Sequence, residues 1–527
     1  MEDGAAWLDM AHWLIHNFSN LKDHAGPAVT HMSPFSPGTL LRPPHRRRAQ
    51  GPKEDDMTFA RVIFLLAMLH LLASAGIALA ADRPGRPNIL FVLIDDMGYR
   101  DLGCFGGTRA QTPQIDRLAR EGLRFNQFYV AAPICSPSRV SLLTGQYPNR
   151  WRITSYLDTR KLNQQRGLAD WLSPDAPSLA RSLHDAGYYT AHVGKWHMGG
   201  QRDVADAPPI TRYGFDTSVT NFEGLGPRIL AKFDPNPDGT PFRHIPTDMS
   251  ARFGVGPITW VPRHRVTAAF VDRAIDEMRK AQQQDKPFYI NLWPDDVHSP
   301  CQAPPDLRGD GSPAANYLGV LREADRQFGR AFDYLRSQPH LRDNTIILLC
   351  SDNGHERGLG SGGELRGSKG QLYESGIRSP LVVWAPGRIA DAHAGKSNNR
   401  TVIAGIDLAP SVLSLAGVAA PANVTFDGLD LSDALVDRAA PQRSKPVMWV
   451  RPPDRPGPGS SWPDLAIWDG DWKLLVHRDA SGAELFDVIA DPNEQNNLAA
   501  QHPDVVAWLK QEVIAWDKAS QTTTGSR

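Results

Sequence analysis

Short apolar runs alternate with longer amphipathic stretches along most of the chain. Four of these runs are predicted to be buried strands: residues 88–94, 188–193, 287–292 and 344–350. The segments between them carry apolar residues at helical spacing. This alternation is typical of an α/β domain. It predicts a large mixed, mostly parallel sheet sandwiched by helices.

Acidic and amide side chains follow two of the predicted strands. Asp95 and Asp96 come directly after the first strand, and Asp352 and Asn353 follow the last. An open α/β sheet binds ligands beyond the carboxyl ends of its strands, so we expect both pairs in one crevice. Their oxygen atoms suit Ca²⁺ or Mg²⁺ better than zinc. Taken singly, each pair has a simpler explanation as a turn or a helix cap.

Basic and titratable side chains follow the other two strands and recur in a glycine-rich loop at residues 365–378. Four of them lie on the predicted ligand side of the sheet: Lys195, His197, His298 and Lys369. A single lysine or histidine of this kind is more often structural than catalytic. Because the four converge on one side, they are candidates for substrate binding and acid–base chemistry.

Cys135 begins the pentapeptide C-S-P-S-R at residues 135–139, directly before a predicted helix. Pro137 suits the first turn of that helix, because its missing N–H would have no partner there. Cys135 is therefore expected at a helix N-terminus, where free amides and the helix dipole favour an anionic group. Arg139 lies one turn further on. The alternative interpretation is a small buried thiol that caps a turn.

Together these segments resemble the signature of the formylglycine-dependent sulfatases, of the arylsulfatase and N-acetylgalactosamine-6-sulfatase type. The matching motifs are C-S-P-S-R at 135–139, G-K-W-H-M-G at 194–199, H-S-P at 298–300 and R-G-S-K-G at 366–370. The resemblance runs from about Pro87 to about Lys518, and Ser375 departs from it where a second glycine is commoner. It implies an alkaline-phosphatase-like fold with a smaller C-terminal α+β subdomain.

The resemblance also implies which residues form the site. In this family a formylglycine-generating enzyme oxidises the cysteine of the pentapeptide to Cα-formylglycine, so Cys135 would be the precursor of the nucleophile. The implied metal ligands are Asp95, Asp96, Asp352, Asn353 and the modified Cys135. Ca²⁺ is the usual ion, and Mg²⁺ stays open. The implied catalytic residues are Cys135, Arg139, Lys195, His197, His298 and Lys369.

Sulfate ester hydrolysis needs a nucleophile, cations on the sulfuryl oxygens and a proton for the departing oxygen. By resemblance, Lys195 and Lys369 would hold the sulfate, and His298 would bind it and protonate the leaving alcohol. Arg139 and His197 would hold the aldehyde hydrate. Asp352 is the expected base for the attacking hydroxyl, and His197 the expected base for sulfate release.

The N-terminal region has a different composition from the rest of the chain. Residues 57–81 combine a charged start, an apolar run and an A-x-A ending, which is typical of a cleaved signal peptide. An uncleaved membrane anchor is the alternative. We predict that translation starts at Met57 and that residues 1–56 are a non-native or disordered extension. The expected location is secreted or periplasmic, without stable membrane insertion.

The rest of the chain is long enough for one large and one smaller domain. We predict a catalytic domain at residues 84–430 and a C-terminal antiparallel-sheet subdomain at residues 440–520, with one helix from Asp504 to about Lys518. With 57 basic and 58 acidic side chains, nothing in the overall charge points to nucleic acid. The four cysteines form no paired spacing motif, so neither a zinc site nor a disulfide framework is expected.

Two other functions are compatible with these motifs. One is a related hydrolase of phosphate monoesters, phosphate diesters or phosphonates. The other is a glycan-binding relative in which Cys135 stays a thiol. For a sulfatase we expect sulfated carbohydrate, such as galactosamine 6-sulfate units or an algal polysaccharide, with aryl sulfates as artificial substrates. The candidates for the substrate-binding rim are Trp293, Asp295, Asp296 and Gln302.

Overall fold

The four predicted strands lie side by side in one sheet of the computed structural model, which describes residues 85–221, 223–236, 238–454 and 461–523. The predicted extension at residues 1–56 and the predicted signal peptide at residues 57–81 lie outside the described residues. Within the described residues, no helix is both long and apolar enough to cross a membrane.

The described strands are numbered here in chain order. They are β1 Asn88–Ile94, β2 Leu123–Phe125, β3 Phe128–Tyr129, β4 Tyr189–Gly194, β5 Thr217–Val219, β6 Arg228–Lys232, β7 Ile258–Pro262, β8 Phe288–Trp293, β9 Thr345–Ser351, β10 Leu381–Trp384, β11 Ser397–Asn398, β12 Ile403–Ala404, β13 Val447–Val450, β14 Leu465–Asp469, β15 Trp472–Val476 and β16 Glu484–Asp487.

The α-helices are numbered in the same way. They are α1 Pro113–Glu121, α2 Cys135–Thr144, α3 Arg160–Gln165, α4 Leu179–Asp185, α5 Ile245–Ser250, α6 Val266–Gln283, α7 Pro313–Arg336, α8 Pro339–Arg342, α9 Glu374–Ile377, α10 Leu408–Leu415, α11 Ser432–Leu435 and α12 Pro503–Thr523. Helix α7 begins with Pro313 after the N-cap Ser312, whose hydroxyl accepts a 3.2 Å hydrogen bond from the amide of Ala315.

The main sheet has eight strands in the order β11-β2-β10-β9-β1-β8-β4-β5. Strand β1 pairs in parallel with both β8 and β9, and β4 pairs in parallel with β8 and β5. Strand β10 runs antiparallel to its two neighbours, β9 and β2. The predicted mixed, mostly parallel sheet is therefore confirmed.

Alternate side chains of β1 enter two separate hydrophobic cores, as the two faces of a strand require. Ile89, Phe91 and Leu93 pack in the core that also holds α2, α4 and α10. The intervening residues pack against α6 and α7 on the other face. The sheet is thus buried on both faces, which explains why its strands appear in the sequence as nearly continuous apolar runs.

The C-terminal part contains a four-stranded antiparallel sheet in the order β13-β14-β15-β16, covered by α12. This confirms the predicted antiparallel subdomain. Its apolar side chains belong to the same core as one face of the main sheet. Helix α12 is longer than the predicted helix from Asp504 to Lys518. The boundaries at residues 430 and 440 stay predictions.

Candidate active site

The acidic residues lie together because they follow adjacent strands. Strands β1 and β9 pair in register up to Ile94 and Ser351, so the residues after them continue side by side. The amide of Asp96 donates a 3.2 Å hydrogen bond to Oδ1 of Asp352. Asp96 has a φ of 61°, an uncommon conformation for a residue other than glycine and one that often occurs at functional sites.

Cys135 occupies the first position of α2, as predicted, and faces these carboxylates. Its Sγ lies 3.5 Å from Oδ1 of Asp95 and 4.0 Å from Oδ1 of Asp96. Possible ligand atoms of Asp95, Asp96, Cys135 and Asp352 all lie within 4.8 Å of one another. Burial and the charge of Asp95 raise the pKa of the Cys135 thiol, so an unmodified thiol here stays protonated.

Arg139 follows one helical turn after Cys135 and bridges three parts of the site. Its Nη2 lies 2.8 Å from Oδ2 of Asp352 and 3.4 Å from Oδ2 of Asp95. Its Nη1 donates a 2.7 Å hydrogen bond to the main-chain oxygen of Lys195. The side chain of Arg139 is completely buried. Through these three contacts it joins α2 to the residues that follow β1, β4 and β9.

Two lysines complete the charged cluster. Nζ of Lys195 lies 2.6 Å from Oδ2 of Asp95, and Nζ of Lys369 lies 2.5 Å from Oδ2 of Asp96. Burial alone would lower both lysine pKa values. The carboxylates outweigh it, and Asp95 raises the pKa of Lys195 to about 12. Both lysines therefore stay charged at neutral pH.

The carboxylates respond unequally to these cations. Burial would raise the pKa of Asp95, but Lys195 and Arg139 hold it well below its usual range. Asp352 has the opposite shift: burial and the charge of Asp95 raise its pKa to about 7. Like charges this close disfavour one another, which is how a cluster of carboxylates favours an additional cation.

Two histidines flank the cluster. His298 has its Nε2 3.6 Å from Oδ2 of Asp96, and its Nδ1 lies 2.5 Å from the main-chain oxygen of Ser299. Burial and the charge of Lys369 lower the pKa of His298. Its side chain is 28% exposed, so it lies where the buried cluster meets solvent.

His197 is more deeply enclosed than His298. Its Nε2 lies 3.2 Å from the oxygen of Leu157, so Nε2 carries the proton and Nδ1 is left as a buried acceptor without a partner. Burial and the charge of Lys195 hold the pKa of His197 well below its usual range. The neutral form suits a proton acceptor.

The structure brings together all ten predicted site residues: Asp95, Asp96, Cys135, Arg139, Lys195, His197, His298, Asp352, Asn353 and Lys369. It does not place all the proposed rim residues at a rim. Trp293 is fully buried as the last residue of β8. Asp296 is buried, with Oδ1 2.6 Å from Nη1 of Arg263. Gln302 is hydrogen-bonded to the main chain of Asp234.

The predictions for Trp293 and Asp296 are wrong for a common physical reason, whereas Gln302 is half-buried and stays a rim prediction. The sequence around a polar or amphipathic side chain near a catalytic loop does not show whether that side chain faces the substrate or forms hydrogen bonds and ion pairs within the fold. Arg263 is far from Asp296 in the chain, so local spacing in the sequence does not reveal their contact. Oδ1 of Asp295 has no hydrogen-bond partner, whereas Oδ1 of Asp296 is held by its ion pair with Arg263.

Glu223 was missed in the sequence. Its main-chain oxygen accepts hydrogen bonds from the amides of Trp196 and His197, at 3.1 and 2.8 Å. Its Oε2 lies 3.8 Å from Nε2 of His197, and burial raises the pKa of Glu223 to about 7. Glu223 follows β5, so the rule that ligands follow strand ends would have found it. The strand has only three residues and gives little apolar signal.

Comparison with known proteins agrees with this geometry. Residues 87–418 match the family described as Sulfatase, and residues 367–519 match the family described as N-sulphoglucosamine sulphohydrolase, C-terminal. Human arylsulfatase A is 31% identical over 84% of this chain and 84% of its own length. N-acetylgalactosamine-6-sulfatase of Canis lupus familiaris is 31% identical over 73% of this chain and 72% of its own.

A solved structure is similar over most of its length. Ps i-CgsB in complex with k-i-k-neocarrahexaose superposes with a TM-score of 0.67 at 26% identity, covering 82% of this chain and 93% of that one. The chain therefore belongs to the sulfatase family. It is a sulfuric ester hydrolase.

Proposed function

We propose that this chain is a secreted or periplasmic sulfatase that hydrolyses sulfate monoesters of carbohydrates through a formylglycine made from Cys135 and a bound divalent cation. The observation that carries the proposal is the position of Cys135, at the start of α2 with its Sγ 3.5 Å from Asp95 and 4.0 Å from Asp96. Around it converge three carboxylates and three permanent cations.

The residues present fit a hard divalent cation. Asp95, Asp96 and Asp352 offer carboxylate oxygens, and Oδ1 of Asn353 is buried without a hydrogen-bond partner. A buried carbonyl oxygen of this kind is costly unless something binds it. An all-oxygen set of this charge suits Ca²⁺, with Mg²⁺ as the alternative. When bound, the cation supplies Lewis-acid polarisation of the sulfuryl group and of the nucleophile.

Formylglycine would supply what the protonated thiol lacks. As a hydrate it would supply one hydroxyl as the nucleophile and a second through which sulfate could leave. The protein residues would prepare this chemistry. Arg139 holds Asp352 and Asp95 in place, and His197 offers the free Nδ1 as a proton acceptor. Formation of the aldehyde requires a formylglycine-generating enzyme as a maturation partner.

The two lysines would bind the substrate anion. Lys195 and Lys369 are each paired with one carboxylate. Once those carboxylates share a divalent cation, the cluster has net positive charge, and both ammonium groups can hold sulfate oxygens as negative charge develops. His298, at the solvent boundary, is placed to give a proton to the departing alcohol oxygen. It must be protonated before that transfer, and Asp96 favours its charged form.

Carbohydrate is the proposed substrate class for two reasons. Two similar proteins are named N-acetylgalactosamine-6-sulfatase and N-acetylgalactosamine-6-O-sulfatase, and a similar solved structure holds k-i-k-neocarrahexaose. The predicted signal peptide also supports secretion to a compartment where polysaccharides occur. The near-neutral overall charge gives no reason to expect nucleic acid as a partner.

The proposal is tested on the secreted protein by two measurements. The first is the mass of the tryptic peptide 125–139, which should carry the shift for replacement of the thiol by an aldehyde at Cys135. The second is the ratio of hydrolysis rates for 4-nitrophenyl sulfate and 4-nitrophenyl phosphate, which should favour sulfate. An unmodified thiol from a host known to carry out the conversion, or faster phosphate hydrolysis, would overturn it.

A further inference from the structure

A narrow cleft lies beside the loop that carries His298, and residues on both sides of His298 in the chain line it. It is lined by residues that follow β5 and β8 and by the segment around β6, among them Asn221, Asp295, Ser299 and Phe233. The amide of His298 donates a 3.0 Å hydrogen bond to the main-chain oxygen of Asp295. The cleft is small, with about 10 Å³ open to the centre of a water molecule. That is enough for one water molecule or one hydroxyl group.

Two side chains that line this cleft have unused hydrogen-bonding capacity. Asn221 is 3% exposed, and neither its amide nitrogen nor its amide oxygen has a partner. Asp295 is 5% exposed, and its Oδ1 also has none. Leaving such a group buried and unpaired destabilises the fold. Three unsatisfied atoms around one cleft therefore indicate a polar occupant.

The neighbouring Asp296 is not available for the same purpose. It lies 2.6 Å from Nη1 of Arg263 and also accepts a hydrogen bond from Thr267. Arg263 lies 3.6 Å from Oδ2 of Asp295, which orients that carboxylate and leaves Oδ1 uncommitted. The cleft thus offers one charged acceptor from Asp295, and one donor and one acceptor from Asn221.

Aromatic rings flank the polar end of the cleft. Phe233 stacks on Phe242 with ring centroids 5.0 Å apart, and its centroid lies 5.1 Å from that of His244. Phe233 and His244 both line the cleft. Apolar walls with a few fixed polar groups are typical of small-molecule sites. The edge of a sugar ring fits this arrangement, because one hydroxyl group can enter the cleft while the C–H groups next to it meet the apolar walls at its mouth.

We propose that this cleft receives one hydroxyl group of the leaving sugar, and that Asn221 and Asp295 are the specificity-determining residues that bind it. This rests on the proposed function, because His298 would face the ester oxygen of the same sugar. The hydroxyl must then lie close to the esterified position. The preferred substrate is therefore a sulfated sugar with a free neighbouring hydroxyl, and an aryl sulfate leaves the cleft to water.

The test is a thermodynamic cycle between the protein and its substrate. Monosulfated esters of galactose and N-acetylgalactosamine are screened on the mature enzyme, and the best one is compared with its analogue lacking the neighbouring hydroxyl. In the wild type the deoxy analogue should lose about 10- to 100-fold in kcat/KM, as expected for a hydrogen bond to a charged group. Asn221→Ala and Asp295→Asn should lower kcat/KM for the full sugar similarly, relative to 4-nitrophenyl sulfate.

The decisive result is the coupling between the two changes. In Asn221→Ala or Asp295→Asn, removal of the hydroxyl should lower kcat/KM by a smaller factor than in the wild type, because one of its two partners is already gone. If either residue had a purely structural role, its substitution would lower kcat/KM equally for the full sugar and for the deoxy analogue. The ratio between the two substrates would then stay at the wild-type value. Asn236→Ala is the matched control. Asn236 bonds Thr240 at 3.0 Å in an exposed turn, and the variant should keep the wild-type ratio.

A binding measurement removes any dependence on maturation. Calorimetry should show that the Cys135→Ala protein binds the desulfated sugar. The double variant Cys135→Ala, Asn221→Ala should bind that sugar at least tenfold more weakly. Equal binding or uncoupled deoxy penalties would overturn this inference alone. Hydrolysis of aryl sulfate but of no sugar sulfate would overturn it together with the proposed carbohydrate substrate class. Failure of the wild type to hydrolyse any sulfate ester would instead overturn the proposed function.

Discussion

Two buried lysines in this molecule have similar immediate surroundings but different environments beyond them. Lys369 lies 2.5 Å from Asp96 in the active site, and Lys473 of β15 lies 2.9 Å from both Glu374 and Glu494. Their side chains are 9% and 1% exposed. Each is held in its charged form by carboxylates. An ion pair taken alone would not distinguish a catalytic lysine from a structural one.

The difference lies in the other groups of each cluster. Around Lys473, Oε2 of Glu374 accepts hydrogen bonds from Tyr129 and Arg378, and Oε2 of Glu494 accepts one from the amide of Glu374. This cluster ties the C-terminal sheet to α9. Around Lys369 the cluster includes the unpartnered oxygen of Asn353 and the partly exposed His298. Unused binding capacity next to solvent marks the functional cluster.

The largest expected effect is the loss of activity in Cys135→Ala. Removal of the nucleophile should lower kcat by about a thousandfold or more. Cys135→Ser, which has one hydroxyl and no route for sulfate release, should give at most a single turnover. Stopped-flow and steady-state rates with 4-nitrophenyl sulfate measure both. Cys104→Ser, a half-buried thiol outside the site, is the control and should stay active. Near-normal steady-state rates in Cys135→Ser would contradict the mechanism.

Lys473→Met should reduce stability more than any single change in the active site. It leaves two buried carboxylates without the cation that they share, and breaking a buried pair in this way costs about 3–5 kcal/mol. Urea unfolding measures the loss. Lys286→Met, at an exposed position, should change the free energy of unfolding by less than about 0.5 kcal/mol. An unchanged urea midpoint in Lys473→Met would show that Lys473 does not stabilise the fold.

Lys369→Met should have the reverse profile. With calcium present, kcat/KM for sulfate esters should fall by about 100- to 1000-fold, because a cation that stabilises the transition state is lost. The free energy of unfolding should change less than in Lys473→Met. Both quantities are measured on the same two variants. A variant that keeps its activity but unfolds more easily would make Lys369 a structural residue like Lys473.

The Lys473 cluster should also make stability depend on pH. Burial and the charge of Glu374 raise the pKa of Glu494 to about 7, although Lys473 lowers it. Between pH 4.5, the ordinary pKa of a glutamate, and about pH 7 the folded chain keeps a proton that the unfolded chain has lost. Stability from this group is therefore complete at low pH and decreases as pH rises, by roughly 3 kcal/mol in total. Urea midpoints from about pH 5 to about pH 8 should show that slope, and Glu494→Gln should show a smaller one, because the raised pKa values of Asp352 and Glu223 contribute with the same sign in both proteins.

Calcium should produce the smallest effect, confined to the active-site cluster. A tenfold excess over Kd should stabilise chelator-treated protein by about 1.4 kcal/mol. Thermal unfolding with and without calcium measures the shift. Asn353→Ala should reduce the stabilisation by calcium. Lys473→Met should unfold at a lower temperature without calcium but should be stabilised by calcium as much as the wild type. An equal response in Asn353→Ala would contradict the assignment of Asn353 as a ligand.

Much of the catalytic cluster was predictable because its residues lie in contiguous motifs at strand ends. The run at residues 88–94 has the bounds of β1, and Asp95 and Asp96 follow it as predicted. The other three predicted strands are each displaced by about one residue. The position of Cys135 at a helix start could also be inferred, since Pro137 and the helical pattern after it are local signals.

The residues that were missed or misjudged depend on contacts between distant segments. Asp296 contacts Arg263 and so cannot bind substrate, whereas Asp295 next to it keeps a free oxygen. Asn221 and Glu223 follow a strand too short to recognise. The hydrophobic pattern of the neighbouring sequence does not distinguish the residues that bind within the fold from those with free polar atoms.

The sequence by itself determined the strands, the acidic and basic residues that follow them, and the family to which they belong. Hydrophobic periodicity and contiguous motifs carry that information. Only the tertiary structure decided which charges are satisfied and which are left to bind something. Lys473 reaches Glu374 across 99 residues of chain, and Lys369 reaches Asp96 across 273. Pairing over such separations depends on how the strands and loops pack, so the same residue types join two segments in one place and line the candidate active site in another.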